Sequence, residues 1–395
     1  MPAVDNIQSG TVNLTVSDGL TGNITISSTN TARTFLQYAP WNDHGGGLRL
    51  SRHMFTLVLA NATTITWSRQ SLSHANPTHF YWAAIEVADA DIDNIQVGTL
   101  DCITNPDNVT VTATALENTI ITDYYNTDSL GFDGQQPAIF YLPNTTTLEW
   151  DFESAPTTGK HYASYQLIEF SAASTAVQTG RVFIPNIDPT TNVATITSVD
   201  TSKTVIYPAG FSTGQVNPHK IPTTSELSNS TAVTLTHGAG TTIVDEWIGY
   251  QVCEHLDTDV VAYGTGTISD GSNTDQPTFT AMDINVAAVV GRSTSFTNGH
   301  QLPTYATIGH GDIQIGAALD TSDPVTFVDI NRGLSNSNVK YTYFVQEFNG
   351  AASPISITVG KDDAALSGQV ATVVIPSQVR QTGFRFRNDG TIDPP

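Results

Sequence analysis

Apolar and polar residues alternate along most of this chain. Asn23-Ile24-Thr25-Ile26-Ser27, Val109-Thr110-Val111-Thr112-Ala113 and Ala194-Thr195-Ile196-Thr197-Ser198 all run with period two, the mark of a strand with one face buried. No segment repeats apolar residues at the i, i+3, i+4, i+7 spacing of an amphipathic helix. Turn residues break the alternation at short intervals, as they do in β-sandwiches and barrels. The pattern predicts an all-β protein.

The alternating segments are organised by an internal repeat. An opening signature occurs as Ile7-Gln8-Ser9-Gly10, Ile95-Gln96-Val97-Gly98, Val177-Gln178-Thr179-Gly180 and a degenerate Val261-Ala262-Tyr263-Gly264. Its glycines are 88, 82 and 84 residues apart. A middle signature runs from Leu59 to Trp67, from Leu142 to Trp150, from Leu227 to Leu235 and, loosely, from Leu319 to Phe327. Its first three copies carry Asn61, Asn144 and Asn229 at a turn position, where Asn tolerates left-handed backbone. A closing signature ends each copy, from Trp82 to Glu86, Tyr165 to Glu169, Tyr250 to Glu254 and Tyr343 to Glu347. Three signatures in one order, four times over, predict four tandem antiparallel β-sandwich repeats. We place them at residues 1–88, 89–172, 173–257 and 258–350, with C-terminal strands and a tail at 351–395. Each repeat has the size of a small sandwich, for which about seven strands in two sheets are expected. Within each repeat, segments such as Thr34 to Tyr38 and Thr204 to Tyr207 read as apolar strands preceding a long connection. On the closing strand, Tyr165 and Leu167 share the face expected to point into the core.

Charge separates the repeats. The chain carries 37 acids against 15 bases, a net charge of −22. Residues 1–88 are neutral, 89–172 hold 13 acids and one base, and the next two repeats have net charges of −4 and −6. Phosphate binding needs cationic clusters, so nucleic acid is not an expected partner. No apolar run is long enough for a spanning helix, so membrane insertion is not expected either. The opening residues have no basic stretch followed by an apolar one, so no secretory signal and a cytoplasmic synthesis are expected. Cys102 and Cys253 are too few for a disulfide framework.

Candidate chemistry is sparse. Glu86, Glu169, Glu254 and Glu347 recur at one repeat position, and one catalytic site does not need four copies. They read as structural acceptors of backbone N–H groups or Thr hydroxyls, and no catalytic residue or enzyme activity is expected. Asp89, Asp91 and Asp93 begin like a Ca2+ loop, but Asn94 and Leu100 stand where Gly and Glu are needed. The run reads as an acidic linker, with Ca2+ as its alternative; no other cofactor or metal is expected. Cys253 reads as a buried thiol. The long mid-repeat connections are the expected carriers of ligand binding. Trp41 and His44 in the first repeat, and Phe296, His300, Tyr305 and His310 in the fourth, suit stacking on a sugar ring and hydrogen bonding to its hydroxyls. Trp41 also suits packing against a neighbouring repeat or protomer.

The run from Val177 to Gly180, the run from Thr197 to Thr204 and the closing strand from Tyr250 to Glu254 resemble the β-sandwich repeats of tailed-phage virion surface proteins, of the tail-fibre and head-fibre type. The likeness spans roughly residues 7–348 as a repeating scaffold. The fourth repeat departs from it, lacking the Gln and the Asn. A weaker likeness joins the repeats to H-type lectin domains, which are short sandwiches that form trimers. The stretch from Gly383 to Gly390 is similar to linking motifs of phage fibres. The resemblance implies a non-enzymatic virion structural protein, a surface fibre, spike or adsorption protein assembled in the host cytoplasm. Its partners would be other virion proteins and a host-surface polysaccharide. Exposed sheet edges and the fibre likeness together imply a homotrimer. The neutral, Trp-rich first repeat is the expected attachment surface, through Trp41, Phe55 or Phe80. A lectin-like cell-surface adhesin is the alternative, and a polysaccharide depolymerase a more remote one.

Overall fold

Among the described residues, each repeat contains six strands. The computed structural model describes residues 3–15, 18–42, 55–69, 78–102, 107–127, 138–151, 161–184, 191–213, 223–237, 246–256, 261–268, 274–275, 277, 287–296, 316–320, 327–331, 339–347, 349–350, 355–357, 371–373, 385–386 and 392–393. The first repeat contains β1 (Ala3–Leu14), β2 (Thr21–Thr25), β3 (Thr34–Asn42), β4 (Thr56–Asn61), β5 (Thr64–Ser68) and β6 (Thr78–Val87). The second contains β7 (Ile92–Asp101), β8 (Asp107–Thr110), β9 (Thr119–Thr127), β10 (Ile139–Asn144), β11 (Thr147–Asp151) and β12 (His161–Phe170). The third contains β13 (Thr175–Ile184), β14 (Thr191–Thr195), β15 (Thr204–Thr213), β16 (Thr223–Asn229), β17 (Ala232–His237) and β18 (Glu246–His255). The fourth contains β19 (Val261–Ile268), β20 (Thr274–Asp275), β21 (Ala287–Phe296), β22 (Gly316–Asp320), β23 (Phe327–Asn331) and β24 (Val339–Glu347). No α-helix occurs among the described residues.

The same two antiparallel sheets recur four times. The first, sixth and third strands form one, in the orders β1-β6-β3, β7-β12-β9, β13-β18-β15 and β19-β24-β21. The second, fifth and fourth strands form the other, as β2-β5-β4, β8-β11-β10, β14-β17-β16 and β20-β23-β22. The opening glycines lie directly opposite the closing aromatics, Gly10 with Trp82, Gly98 with Tyr165, Gly180 with Tyr250 and Gly264 with Tyr343. The ring fills the space a side chain would take: a Cβ on Gly98 would come within 2.6 Å of Tyr165. The opening glutamines tie the two sheets together. Gln8 bonds both backbone groups of Ser27, Gln96 those of Thr112 and Gln178 those of Thr197. The middle asparagines close their hairpins by accepting the N–H two residues on, at 2.9, 2.9 and 2.8 Å.

Both faces of the sixth strand are buried, which the alternation alone did not predict. Tyr165 and Leu167 face the interior of their own sandwich. On the opposite face, Gln166, Ile168 and Phe170 are 4 %, 0 % and 1 % exposed. They meet the neighbouring repeat, as Phe35 packs edge-on against Phe170, and Phe170 against His255, with ring centroids 6.3 Å apart in both pairs. One apolar core joins residues of all four repeats, among them Phe35, Ile168, Cys253 and Phe344.

The junctions follow one rule. The fourth strand of each repeat packs on the third and sixth strands of the next: β4 on β9 and β12, β10 on β15 and β18, β16 on β21 and β24. The rule returns to its start, because β22 packs on β3 and β6. The four sandwiches therefore form a closed cycle within one compact unit, Met1–Asn349. A glutamine seals two of the junctions. Gln166 Oε1 accepts the Leu36 N–H at 2.8 Å while its Nε2 donates to Leu36 O at 3.1 Å. Gln251 does the same to Ile121, at 2.7 Å in both directions. Each amide thus pairs with the outer edge of a third strand as another strand would. Gly249 allows the close approach: a Cβ there would lie 2.9 Å from Ile139 Cγ2 of the preceding repeat.

The C-terminal unit, Gly350–Pro395, is separate. Its described parts are two short antiparallel pairs, Ile355–Ile357 with Ala371–Val373 and Arg385–Phe386 with Ile392–Asp393.

Candidate functional site

Strand direction fixes which end of each sandwich can carry binding segments. The pairings are antiparallel throughout, so the connections from first to second, third to fourth and fifth to sixth strand all leave from one end. The opposite end holds the tight hairpins and the joins between repeats. Neighbouring repeats point the same way, since Phe35, Phe170 and His255 meet at the joining end. Trp41 lies near the far end of β3, opposite His79, and Phe296 ends β21, opposite Val339. Both mark the end from which long connections depart, and β22 brings the fourth repeat against β3 of the first. His44, His300, Tyr305 and His310 lie outside the described residues.

The expected attachment aromatics require a correction. Phe55 and Phe80 are 0 % exposed and sit in the interior of the first sandwich with Trp67 and Tyr38. Their apolar area is spent on that core, so neither side chain offers surface to a partner. The first repeat is not a free end of the tandem array, because it has neighbours on both sides.

The best-defined surface constellation lies between the second and third repeats, at the end that carries the long connections. The Arg181 guanidinium lies over the Tyr141 ring at 5.5 Å and over the Trp247 ring at 5.1 Å. It pairs with Asp151 at 3.2 Å, the two side chains being 46 % and 32 % exposed. Phe183 packs on Trp247 with centroids 5.1 Å apart. The Tyr141 hydroxyl donates to Glu149 at 2.5 Å. Burial and then that carboxylate push the Tyr141 hydroxyl up to about 12, so it stays a donor. All three rings are half-buried. Three aromatic rings, one guanidinium and two carboxylates thus share one ledge across a junction.

The recurrent glutamates have structural partners. Glu169 accepts the Ala115 N–H at 2.8 Å, Glu254 accepts the Asp200 N–H at 2.7 Å, and Glu86 pairs with Arg33 at 3.2 Å. Of the acidic run, Asp89 lies 3.9 Å from Arg33 and Asp91 accepts from Ser174 at 2.7 Å, while Asp93 is exposed. Among the described residues, no group of three or more His, Cys, Asp or Glu side chains could hold a metal ion. Cys102 and Cys253 are fully buried free thiols, and burial pushes both pKa values far up. His255 is fully buried beside Cys253, and burial pushes it down to about 3, so it is neutral.

The ledge was missed from sequence because its residues come from two repeats and four strands. A signal was present all the same. Relative to the repeat glycines and aromatics, Arg181 stands where other copies have Thr11, Thr99 and Thr265, and Trp247 where they have His79, Tyr162 and Lys340. Compared with known protein families, curated proteins and solved structures, the chain matches none.

Proposed function

We propose that this chain is a non-enzymatic structural protein of a phage virion surface, of fibre, spike or adsorption type, that engages a host-surface glycan. The observation that supports this best is architectural. Four sandwiches close on one another with their long connections leaving from one end, as suits a rigid scaffold presenting variable segments. Two of the recurrent carboxylates, Glu169 and Glu254, are engaged in holding backbone, and Glu86 is paired with Arg33. Other virion proteins are the proposed partners. A homotrimer stays within the proposal, but its contacts would fall on the edges made by β7, β13 and β19 and by the second strands. The third- and fourth-strand edges are already covered inside the chain, so they give no drive to associate.

Mass spectrometry and antibody labelling of purified particles test the reading. The chain should be present at fixed stoichiometry and labelled on the particle surface, and purified protein should compete with particles for host cells. Absence from particles would overturn it.

A further inference from the structure

We infer that the ledge formed by Tyr141, Arg181, Phe183 and Trp247, with Glu149 and Asp151, is a binding subsite for an uncharged pyranose. This inference rests on the glycan-adsorption reading above and assigns it a place. Four observations carry it.

The ledge is not required to hold its junction. The repeat positions of Arg181, Phe183 and Trp247 carry Thr99, Asp101 and Tyr162 in the second repeat, and Thr265, Thr267 and Lys340 in the fourth. The position of Tyr141 carries Val58 and Glu226 in the first and third. Those junctions close by the same strand contacts without a three-ring cluster. A repeat that breaks its own pattern at one half-exposed place points to selection for something other than packing.

The chemistry matches a sugar ring. Half-buried aromatic rings offer apolar area to the C–H face of a pyranose, while planar groups at their rim can pair with adjacent hydroxyls. Arg181 has five N–H donors and spends one on Asp151. Stacking on two rings fixes the guanidinium, so little side-chain entropy is lost when its other donors are used. Glu149 and Asp151 each have acceptor capacity beyond the one bond described.

The charge selects against acidic ligands. Arg181 is matched by Asp151, Glu149 stands beside it, and the second repeat carries 13 acids to one base. An anionic polysaccharide or a phosphate would meet repulsion here, and a neutral hexose or N-acetylhexosamine would not. The position agrees, because the ledge lies at the end from which the long connections leave.

The test uses the full chain on an array of neutral and acidic oligosaccharides. The strongest neutral glycan is then titrated and followed by fluorine NMR of 5-fluorotryptophan-labelled protein, with the Trp247 signal assigned from Trp247→Phe. The expected result is binding of at least one neutral glycan, a shift of the Trp247 resonance, and affinity lowered about tenfold or more in Trp247→Ala and in Arg181→Ala. Arg181→Lys should fall between, since it keeps the charge but not the planar fork. Tyr162→Ala, at the matching place of the preceding junction, should bind normally. Thermal melting checks that each variant folds, and the wild-type Trp247 resonance reports even where one does not. Neutral glycans bound without a shift at Trp247, or bound equally by both alanine variants, overturn the site while leaving the adsorption reading in place. Binding of acidic glycans alone, or of none, also overturns the site. Absence of the chain from particles removes the adsorption reading itself.

Discussion

Replacing Gln166 with leucine should loosen the first repeat, although the substituted residue belongs to the second. Gln166 is 4 % exposed, and its amide serves the N–H and C=O of Leu36 on the outer edge of β3, and Thr122 Oγ1 at 2.9 Å. Leucine has similar bulk and no polar atoms, so it takes the side-chain partner away from two backbone groups of a buried edge strand. Each costs about 1–3 kcal/mol, and burying the added apolar surface returns about 1 kcal/mol. The net loss is about 3 kcal/mol at this junction. Since 1.4 kcal/mol is a factor of ten, protection of amides on β3 against hydrogen exchange should fall about a hundredfold. Exchange read by mass spectrometry over residues 34–38 measures it, with residues 204–207 of the third repeat, which Gln166 does not touch, as the internal control. Gln251→Leu should show the reverse, exposing 119–123 and sparing 34–38, because it serves Ile121. Unchanged protection at 34–38, or equal loss in every repeat, would show that Gln166 does not seal this edge.

Gly249→Ala should destabilise the chain by about 1–3 kcal/mol in denaturant unfolding, because its Cβ would meet Ala209 O at 2.8 Å and Ile139 Cγ2 at 2.9 Å; an unchanged midpoint contradicts this packing. Asp123, on β9, has its carboxyl pushed by burial from 3.8 up to about 7. The folded chain therefore holds this proton more tightly than the unfolded one. That stabilisation is complete below about pH 4 and lost as pH rises through 7. Asp123→Asn should gain on wild type as pH rises from 4 to 7, read from melting temperatures across that range, and a constant difference contradicts the shift. Both thiols should be silent towards a thiol reagent in the native chain and react together on unfolding, since both are buried with raised pKa values.

The sandwich class was legible because alternation and turn chemistry are local. The repeat was legible because paired strands leave paired signatures. Gly98 and Tyr165 are far apart in sequence and opposite each other in the sheet, so two recurring motifs were one structural unit. Recurrence also pointed to a structural reading of the carboxylates, and Glu169 and Glu254 do accept backbone N–H groups. The cycle was not legible. Its junctions bury the face of the sixth strand that carries Gln166 and Ile168, and a polar Gln on an alternating strand reads as solvent-facing unless its partner on β3 is known. Phe55 and Phe80 were misplaced because an aromatic count cannot distinguish a core from a surface. The ledge escaped because Tyr141 and Arg181 become neighbours only when two repeats meet.

Closure of the cycle is the claim on which the placement of every binding segment depends. Thr11, Thr99 and Thr265 occupy one position in the first, second and fourth repeats, one residue after the opening glycine, and all are exposed. Spin labels on cysteines placed there can be attached selectively because the native thiols are buried. Double electron–electron resonance then compares two pairs. A closed cycle gives a Thr11–Thr265 distance that matches the Thr11–Thr99 distance to within a few ångström, since the first repeat touches the fourth as it touches the second. A Thr11–Thr265 distance far longer than the Thr11–Thr99 distance, as in an open string of four sandwiches, would contradict it.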